Sequence, residues 1–415
     1  MKNLLRAILE DYNLYLPTRI VFEKFKYIFT SLKTGLARLT PPFSKSMIQG
    51  YYSFSLDYWK TCQKNNIVDV TYKTFTYSQT LRTSPPNSIY DRIHENFEKK
   101  LTLTNPDTFL ISASNCRVIG DEGAVITHDN KLLADVSRHF RVKIDNINLH
   151  PELCRLELPK GKELPGTVAV LATAGGYNYY HWLLDVLPRL EIINNTFSDY
   201  YHKIDKFLIN KVSSFTTQSL AMLEVNPDKV FPLQAKSHFL VEHLIIPSLP
   251  GELYAPSPWI CDFLRNNFLK QKADIQPIKR LYISRAKARR RKILNEQEVV
   301  NCLQKWGFTP VYLEQYSFVE QIALLANAEA LVAPHGAGLT NLLWCQVGTK
   351  ALEIFSPRFI NPCFWAIANQ VNVDYFYLIG RGKITSTPNY LSNDVLSDIL
   401  VPLDDLQSSL ELMSL

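Results

Sequence analysis

Apolar and polar positions along this chain follow two patterns, and the change falls near residue 165. Between residues 107 and 150, short apolar runs alternate with polar residues and are separated by turn residues, as at Cys116–Gly120 and Gly123–Thr127. This pattern is typical of a small antiparallel meander. From residue 165 onward, strand-like apolar runs alternate with helix-like segments, which indicates repeated βα units.

The runs after residue 165 predict seven buried strands: Thr167–Leu171, Phe207–Ile209, Leu244–Ile246, Arg280–Ile283, Pro310–Leu313, Leu331–Ala333 and Ala351–Phe355. A helix is expected over Asn178–Ile193. Two later helices begin with the spacing of a capping box, Asn295 with Glu298 and Ser317 with Glu320. The sequence signals for strands and helices are therefore clearer in the second half than in the first.

Two runs of βα units, residues 165–275 and 276–390, predict an α/β fold with two Rossmann-like domains that face a cleft. A chain of 415 residues is long enough for two or three domains. We expect a small β-rich region at 51–164 before the first Rossmann-like domain. A basic segment at 1–50 and a tail at 391–415 complete the predicted organisation.

The net charge of +6 is concentrated near the N-terminus, because residues 1–50 hold eight Lys or Arg against three Asp or Glu, a net of +5. One interpretation is a solvated helical face. The other is contact with an anionic membrane surface, since apolar residues such as Leu4, Ile8 and Phe22 lie among the lysines, as an interfacial helix requires. Both interpretations stay open at this point.

The seven cysteines are scattered and never form a Cys-x-x-Cys pair. This favours reduced thiols over a disulfide framework or a zinc site. No run of about 18 apolar residues appears, and acidic residues occupy the N-terminus where a signal peptide needs an apolar stretch. We therefore expect a cytoplasmic protein that is peripheral to the membrane if it contacts one.

Residues 330–341 combine an apolar run, a loop with two glycines and a segment that can open a helix, which is the architecture of a phosphate site. The candidate anion-binding residues of this loop are His335, Gly336, Ala337, Gly338, Leu339, Thr340 and Asn341. The alternative is a tight βα turn whose glycines only relieve crowding. Glu353 belongs to the next predicted strand, so its carboxylate is expected near the same ligand-binding edge of the sheet.

Residues 279–292 contain eight Lys or Arg and no acidic residue. Arg285 directly follows a predicted strand, so we expect it at the same sheet edge as the glycine loop. Its guanidinium can hold two phosphate oxygens at once. The remaining basic residues at 287–292 are expected to line a mobile loop, and the alternative interpretation is a charge run that is only solvated. A nucleic acid is the rival partner, but one basic loop without stacking aromatic residues supports it poorly.

A third cluster surrounds the predicted helix at 178–193. His181 and Asp185 are four residues apart and share one helix face, which Arg189 continues. A histidine oriented by a carboxylate, or the carboxylate itself, can remove a proton from an attacking hydroxyl. The remaining candidates for the cleft wall are Gly175, Gly176, Asn178 and Tyr180. The alternative is a His–Asp pair that only fixes packing.

The sequence contains no Asp-x-Asp triplet, no Gly-x-Ser-x-Gly, no phosphate-loop lysine motif and no His-Glu-x-x-His. A metal-bridged diphosphate site is therefore not expected, and neither is a bound cofactor. A leaving diphosphate would be stabilised by Arg285, His335 and backbone amides instead.

Three ordered motifs, Tyr179–Arg189, Tyr282–Arg285 and Pro334–Asn341 followed by Glu353, resemble glycosyltransferase family 61. The resemblance covers about residues 165–385, and residues 1–100 have no counterpart in it. It implies a GT-B type fold and an inverting, metal-independent transfer of a hexosyl or pentosyl unit from a nucleotide sugar, most often a UDP-sugar. It also implies that Arg285 and the His335 loop hold the diphosphate, that Glu353 holds the ribose, and that the first half binds the acceptor.

Eukaryotic members of this family work in the secretory pathway. Because this sequence shows no signal or anchor, it looks like a bacterial member that acts on a glycan or glycolipid precursor from the cytoplasmic side, in polysaccharide biosynthesis. Two alternatives from other classes remain. One is a catalytically silent protein that binds nucleotide sugars or serves as a scaffold, and the other is a basic nucleic-acid-associated protein on a Rossmann core. The transferred sugar, the acceptor, the linkage and the oligomeric state are not encoded in any motif.

Overall fold

The computed structural model describes residues 48–140, 142, 144–155, 158–196, 202–381 and 398–415. The basic segment that could face a membrane lies almost entirely outside the described residues, as does the first part of the predicted C-terminal tail. Within the described ranges, no helix has the length and apolarity needed to cross a bilayer.

The described strands are β1 (Gly50–Tyr52), β2 (Val70–Thr76), β3 (Gln79–Arg82), β4 (Thr102–Asn105), β5 (Thr108–Ile119), β6 (Ala124–Ile126), β7 (Lys131–Leu133), β8 (Lys162–Val170), β9 (Lys206–Ile209), β10 (Val230–Pro232), β11 (His238–Pro247), β12 (Arg280–Ile283), β13 (Thr309–Val311), β14 (Ala330–Pro334), β15 (Lys350–Phe355) and β16 (Asp374–Ile379). They form two main sheets and one short hairpin, in which β3 pairs with β4.

The described α-helices are α1 (Ser55–Lys64), α2 (Glu95–Glu98), α3 (Tyr179–His181), α4 (Pro188–Thr196), α5 (Ser214–Met222), α6 (Pro258–Phe268), α7 (Glu296–Gln304), α8 (Phe318–Ala326), α9 (Cys363–Val371) and α10 (Leu403–Leu412). A π-helical turn, Trp182–Val186, joins α3 to α4. The 3₁₀ helices are Ile144–Leu149, Pro227–Lys229, Leu269–Gln271, Leu313–Gln315 and Ala337–Trp344.

The first sheet has nine strands and is mixed, with the order β1-β7-β6-β5-β11-β8-β9-β10 and with β2 also paired to β5. Strands β11, β8, β9 and β10 run parallel, whereas β5 is antiparallel to β11 and β2. The predicted meander forms as β5, β6 and β7. The parallel strands expected from the βα units of the first half are therefore only part of a mixed sheet, since the long, mostly buried β5 joins the meander to them.

The second sheet has five strands, all parallel, in the order β13-β12-β14-β15-β16. This confirms the parallel βα units predicted from the second half. The order reverses between β12 and β14, so the connections that leave these two strands diverge. In open α/β sheets, such a point leaves a crevice at the carboxyl ends of the strands, where ligands bind.

Helix boundaries in the second half match their sequence signals in part. The capping box of α8 is confirmed, because the Ser317 amide donates to Glu320 Oε2 at 2.7 Å and the Ser317 side chain accepts from the Glu320 amide. At α7, the Asn295 side chain caps no backbone amide. It exchanges two hydrogen bonds with the backbone of Val401 instead, so a distant segment competes for the predicted cap.

A segment of the predicted N-terminal β-rich region packs on the second sheet. Asn87 pairs with Phe376 of β16, and the Tyr377 hydroxyl accepts a hydrogen bond from the His94 amide at 3.0 Å. Phe97 is fully buried against Phe355, Trp365 and both tyrosines of β16. At the other end of the chain, α10 buries Leu406 and Leu410 in the core of the second sheet. Residues from both ends of the chain thus complete the second sheet, and the predicted domain boundaries stay predictions.

Candidate functional site

Two loops meet at the point where the order of the second sheet reverses. Arg285 lies just beyond β12, and the glycine loop follows β14. A Cβ atom on Gly336 would lie 2.0 Å from Nη1 of Arg285, so only glycine lets the guanidinium approach this closely. The 3₁₀ helix begins directly after Gly336, at Ala337, and its first-turn amides are free of helical partners at that end. The crevice therefore combines a guanidinium with the positive end of a helix.

Arg285 is partly buried, and no carboxylate of the described residues lies within 4.0 Å of it. Its Nη2 donates to the carbonyl oxygen of Arg290 at 3.0 Å, while its buried Nε has no hydrogen-bond partner. Burial lowers the pKa of Arg285 from its usual value. A buried cation of this kind is stabilised by an anion, because its own surroundings do not neutralise it.

Arg291 is a second such cation, and the sequence analysis did not single it out from the basic run at 287–292. Its guanidinium lies 5.3 Å from the centre of the Phe359 ring, and its Nε is buried without a hydrogen-bond partner. Burial, followed by the charge of Arg285, lowers the pKa of Arg291 to about 10. The length of the basic run was the only signal in the sequence, and nothing there distinguished this arginine from its solvated neighbours.

A pocket of about 340 Å³ opens beside Arg285. Its walls combine apolar side chains of β12, the 3₁₀ turn after β13 and the glycine loop with three charged groups. The lining residues are Ile283, Ser284, Arg285, Lys287, Ala288, Leu313, Glu314, Ala333, Pro334, Gly336, Gly338 and Leu339. Its volume falls within the range of about 300–1,000 Å³ that is typical of small-molecule sites.

His335, Glu353 and Tyr375 form a buried chain of hydrogen bonds at the back of the glycine loop. Nδ1 of His335 is bonded to Oε1 of Glu353, and the Tyr375 hydroxyl donates to Oε2. Glu353 is fully buried, so a ribose cannot reach its carboxylate unless the side chains around it move. The ribose-binding position implied by the family resemblance is thus not the position that this carboxylate occupies.

The buried pair of His335 and Glu353 favours a state without net charge. Burial, followed by the charges of Arg291 and Arg285, lowers the pKa of His335 well below its usual range. Burial raises the pKa of Glu353 well above its usual range. In the state that both shifts favour, the protonated carboxyl donates to Nδ1, and the hydrogen of the imidazole is on Nε2. His335 can then donate a hydrogen bond to an anion.

Thr340 and Asn341 were predicted as donors to the anion, and both are fully buried. The Asn341 amide nitrogen donates to Gln321 and to the carbonyl oxygen of Gly338, while its oxygen accepts from Tyr179 at 2.7 Å and from Trp344. Asn341 therefore holds the 3₁₀ helix against α3, and its amide is not free for a ligand. The Thr340 hydroxyl has no partner among the described residues.

His181 and Asp185 lie within hydrogen-bond distance, with 2.7 Å between Nδ1 and Oδ2. Both side chains are mostly buried, at 7% and 6% exposure. The turn between them is π-helical, as shown by the bond from the Leu187 amide to the carbonyl oxygen of Trp182 at 2.9 Å. Pro188 follows at once and cannot donate to the helix, which favours a local irregularity here.

The loop before α3 fits closely around His181. Asn178 caps α3 by accepting a hydrogen bond from the Tyr180 amide at 2.9 Å. Gly175 has a φ of +72°, and a Cβ there would lie 2.8 Å from Cδ2 of His181. A Cβ on Gly176 would lie 2.0 Å from Oδ1 of Asn210, a residue that the sequence analysis missed. Asn210 also bonds both backbone groups of Thr173, so it fixes the loop that carries the glycines.

Arg189 does not line a cleft, although its helix-face spacing predicted that it would. It is fully buried and donates to the carbonyl oxygens of Leu171, Ala172 and Pro247. Burial lowers its pKa to about 9. The π-helical turn shifts the residues beyond it around the helix axis, so the spacing of a regular α-helix did not apply to Arg189.

The motif that contains His181 lies next to the glycine loop that contains His335. Besides the bond between Tyr179 and Asn341, the Phe364 ring contacts Tyr180 at 5.7 Å and His335 at 5.1 Å between ring centres. Tyr180 in turn contacts the His181 ring at 5.2 Å. A series of ring contacts through Tyr180 and Phe364 thus connects the candidate base to the candidate anion site.

Comparisons with known proteins agree with this site. Residues 179–352, less than half of the chain, match the family described as Glycosyltransferase 61. The matched segment runs from α3 into β15 and contains every motif that carried the resemblance except Glu353, which lies one residue beyond its end. The family origin expected from the sequence is therefore supported for this region, and its bacterial origin stays a prediction.

Three curated relatives illustrate the similarity. A beta-1,2-xylosyltransferase RCN11 of Oryza sativa subsp. japonica is 27% identical over 113 residues, which cover 25% of this chain and 21% of the relative. An EGF domain-specific O-linked N-acetylglucosamine transferase of Drosophila melanogaster is 32% identical over 103 residues, which cover 24% of this chain and 19% of the relative. A beta-1,2-xylosyltransferase of Arabidopsis thaliana is 29% identical over 97 residues, which cover 20% of this chain and 18% of the relative. The chain thus matches about a fifth of the length of these relatives.

Substitution Gly336→Ala should weaken anion binding without unfolding the protein. The new methyl group would collide with the end of the Arg285 side chain, which can move, so the fold should persist while the guanidinium leaves its place. Inorganic pyrophosphate is a suitable probe, and calorimetry should show its affinity falling about tenfold or more, as expected for the loss of charge-assisted hydrogen bonds. Gly50→Ala is the matched control, since no atom lies within 4 Å of the added methyl group. Equal pyrophosphate affinity in the two variants would contradict this assignment of the anion site.

Proposed function

We propose that this chain, which carries the glycosyltransferase 61 region at residues 179–352, is a glycosyltransferase. It moves a sugar from a nucleotide-sugar donor, with a UDP-sugar as the first candidate, to a glycan or glycolipid acceptor. The observation that carries the proposal is the meeting of Arg285, Arg291 and the Gly336 loop at the point where the order of the parallel sheet reverses. Partly buried guanidinium groups without carboxylate partners are suited to a diphosphate.

The donor diphosphate would occupy the space in front of Gly336. Each guanidinium carries a buried Nε without a partner, so the diphosphate oxygens can supply the missing acceptors. His335 adds a third donor through Nε2, held in place by Glu353 and Tyr375. Together these groups stabilise the negative charge that develops on the leaving nucleoside diphosphate, which is the role of preorganised donors in group transfer.

The nucleoside would occupy the pocket beside Arg285. Apolar walls from Ile283, Leu313 and Leu339 suit a base, and Glu314 is the carboxylate that lines this pocket. We assign to Glu314 the contact with ribose hydroxyls that the family resemblance gave to Glu353. Glu314 lines the pocket, whereas the carboxyl group of Glu353 is fully buried and bonded to His335 and Tyr375.

His181 would act as the general base. When Asp185 accepts the hydrogen on Nδ1, the lone pair of the imidazole is on Nε2, which is free to accept a proton. The acceptor hydroxyl gives its proton to Nε2 as its oxygen bonds to the anomeric carbon. The bond from that carbon to the phosphate oxygen breaks, and the nucleoside diphosphate leaves with the electron pair. A single displacement of this kind inverts the anomeric configuration.

Metal-independent transfer is part of the proposal. It rests on the absence of an Asp-x-Asp triplet in the sequence and on the number of cationic and amide donors at the loop. A cytoplasmic location, and contact of the basic residues in 1–50 with an anionic membrane, are also proposed. They agree with the charge of that segment, which lies outside the described residues.

Thermal unfolding with nucleotides tests the donor site. With a chelator present, one of UDP, GDP, CDP and dTDP should raise the melting temperature of the wild-type protein, because a ligand that binds only the folded state stabilises it. The shift should disappear in Arg285→Ala. A shift that requires Mg²⁺ or Mn²⁺ would contradict the metal-independent part, and no shift under either condition would contradict the donor site and favour a scaffold role.

Substitution Asp185→Asn should leave nucleotide binding intact and lower turnover by about 100-fold or more, because an amide holds the wrong tautomer of His181 and no longer stabilises its charged form. Turnover is measured as release of the nucleoside diphosphate in the presence of acceptor, with Asp262→Asn on the exposed face of α6 as the control. Wild-type turnover in Asp185→Asn would remove Asp185 from the mechanism. Loss of turnover without loss of nucleotide binding would exclude a silent binding protein.

A further inference from the structure

A second pocket of about 250 Å³ lies on the first-sheet side of the His181–Asp185 pair. It opens between the turn that joins β5 to β6, the residues after β7, and the turn that follows the 3₁₀ helix Ile144–Leu149. The lining residues are Ile119, Gly120, Asp121, Glu122, Ala124, Ser137, Arg138, His139, His150, Pro151, Glu152 and Arg155. None of them belongs to the donor site or to the family-matched region.

Arg138 connects this pocket to the candidate base. Its Nη1 lies 3.9 Å from Oδ1 of Asp185, and its Nη2 donates to the carbonyl oxygen of Gly251 at 3.2 Å. Nη1 is buried and has no hydrogen-bond partner among the described residues. The guanidinium therefore lies beside the carboxylate that orients His181 and keeps one donor without an acceptor at the wall of the pocket.

The walls of the pocket carry both hydrogen-bond donors and acceptors. Asp121, Glu122 and Glu152 supply carboxyl groups, while Arg138 and Arg155 supply guanidinium groups, one of which is already paired to Glu152 at 2.6 Å. Burial raises the pKa of Glu122 to about 7, so near neutral pH its carboxyl group can donate as well as accept. Such walls, nearly balanced in charge, suit the hydroxyl groups of a neutral sugar, each of which also donates and accepts.

An exposed aromatic ring completes the surroundings of His181. Phe140 is 43% exposed, and its ring centre lies 4.9 Å from that of His181. A Cβ on Gly175 would lie 2.7 Å from the tip of the Phe140 ring. Phe140 directly follows His139 of the pocket wall, so it adds an apolar ring beside His181 next to a pocket whose walls are mostly polar.

The pocket is also fixed to the helix that carries the candidate base. Asn210 donates to the carbonyl oxygen of Asp121 at 2.8 Å and to that of Thr173 at 2.8 Å. The same side chain packs against Gly176, just before α3. Asn210 thus links the turn at Asp121 to the loop that leads into α3. This fixes the pocket relative to His181, as alignment of an acceptor with its base requires.

We propose that this pocket is the acceptor subsite and that it holds one neutral monosaccharide unit of the acceptor. The inference rests on the proposed function, because it assigns the second substrate of the same reaction. A volume of about 250 Å³ is smaller than the range of about 300–1,000 Å³ found for drug-sized ligands, so one sugar ring fits and an oligosaccharide does not. Arg138 and Glu122 hold the ring beside the His181–Asp185 pair.

Saturation-transfer NMR with the full chain and saturating UDP tests this inference. The probes are neutral methyl glycosides of glucose, galactose, mannose and xylose, with methyl glucuronide and methyl glucosaminide as charged counterparts. We expect a saturation-transfer signal, which reports binding, for at least one neutral glycoside. Glu122→Ala should weaken that binding about fivefold or more, since it removes hydrogen bonds to the ring, whereas Glu163→Ala in a different pocket of the same sheet should not. The shift in melting temperature caused by UDP should be the same in both variants, which shows that they are folded.

Three outcomes would overturn the assignment: no saturation-transfer signal for any neutral glycoside, a signal for charged glycosides alone, or equal binding in Glu122→Ala and Glu163→Ala. The acceptor subsite and the proposed glycosyltransferase reaction can be contradicted separately. A protein whose melting temperature rises with UDP but that binds no neutral glycoside contradicts the acceptor subsite and leaves the donor site standing. A protein that binds glycosides through Glu122 but no nucleotide contradicts the proposed glycosyltransferase reaction and leaves this pocket as a sugar site.

Discussion

Burial of Arg285 and Arg291 beside the glycine loop removes two positive charges from water, and no carboxylate of the described residues lies within 4.0 Å of either. The free energy cost of desolvating a cation is several kcal/mol when nothing compensates it. Burial also lowers the pKa of both groups for the same reason. An anion that enters the crevice offsets this cost for both arginines at once. The donor site therefore depends on charges that the fold holds partly desolvated before any ligand arrives.

The rest of the second sheet keeps these charges in position. The reversal of strand order between β12 and β14 makes room for the crevice, and Gly336 allows the close approach of Arg285. Behind the loop, Glu353 and Tyr375 fix His335, and Phe97 from the distant N-terminal segment packs under Tyr375. The hydrogen bond from Tyr179 to Asn341 then joins this sheet to the helix that carries His181. A substitution in this scaffold can disturb both substrate sites without contact to either substrate.

The sequence predicted what depends on local pattern. Parallel βα units in the second half, the capping box of Ser317 and the pairing of His181 with Asp185 follow from the spacing of residues along one element. It did not predict what depends on tertiary contacts. The mixed first sheet arises because β5 pairs with both β2 and β11, which are far away in sequence.

The site residues show the same division. Arg189 is buried because the π-helical turn before Pro188 changes the helix phase, and a period of 3.6 residues cannot show such a turn. Asn341 and Glu353 were expected on the ligand because their motifs lie near the sheet edge, but Tyr179 and Tyr375 occupy their polar atoms. Arg291, Asn210 and Arg138 escaped notice, since only the folded chain brings them to the site.

The proposed reaction depends on diphosphate binding by the two arginines and the glycine loop. Calorimetric titration of the wild-type protein with uridine, UMP and UDP, in the presence of a chelator, measures that binding. The account predicts that UDP binds about tenfold or more tightly than UMP, and UMP more tightly than uridine, because each phosphate adds charge-assisted hydrogen bonds to buried donors. Equal dissociation constants for UDP and uridine would show that the phosphates contribute nothing and would contradict the account.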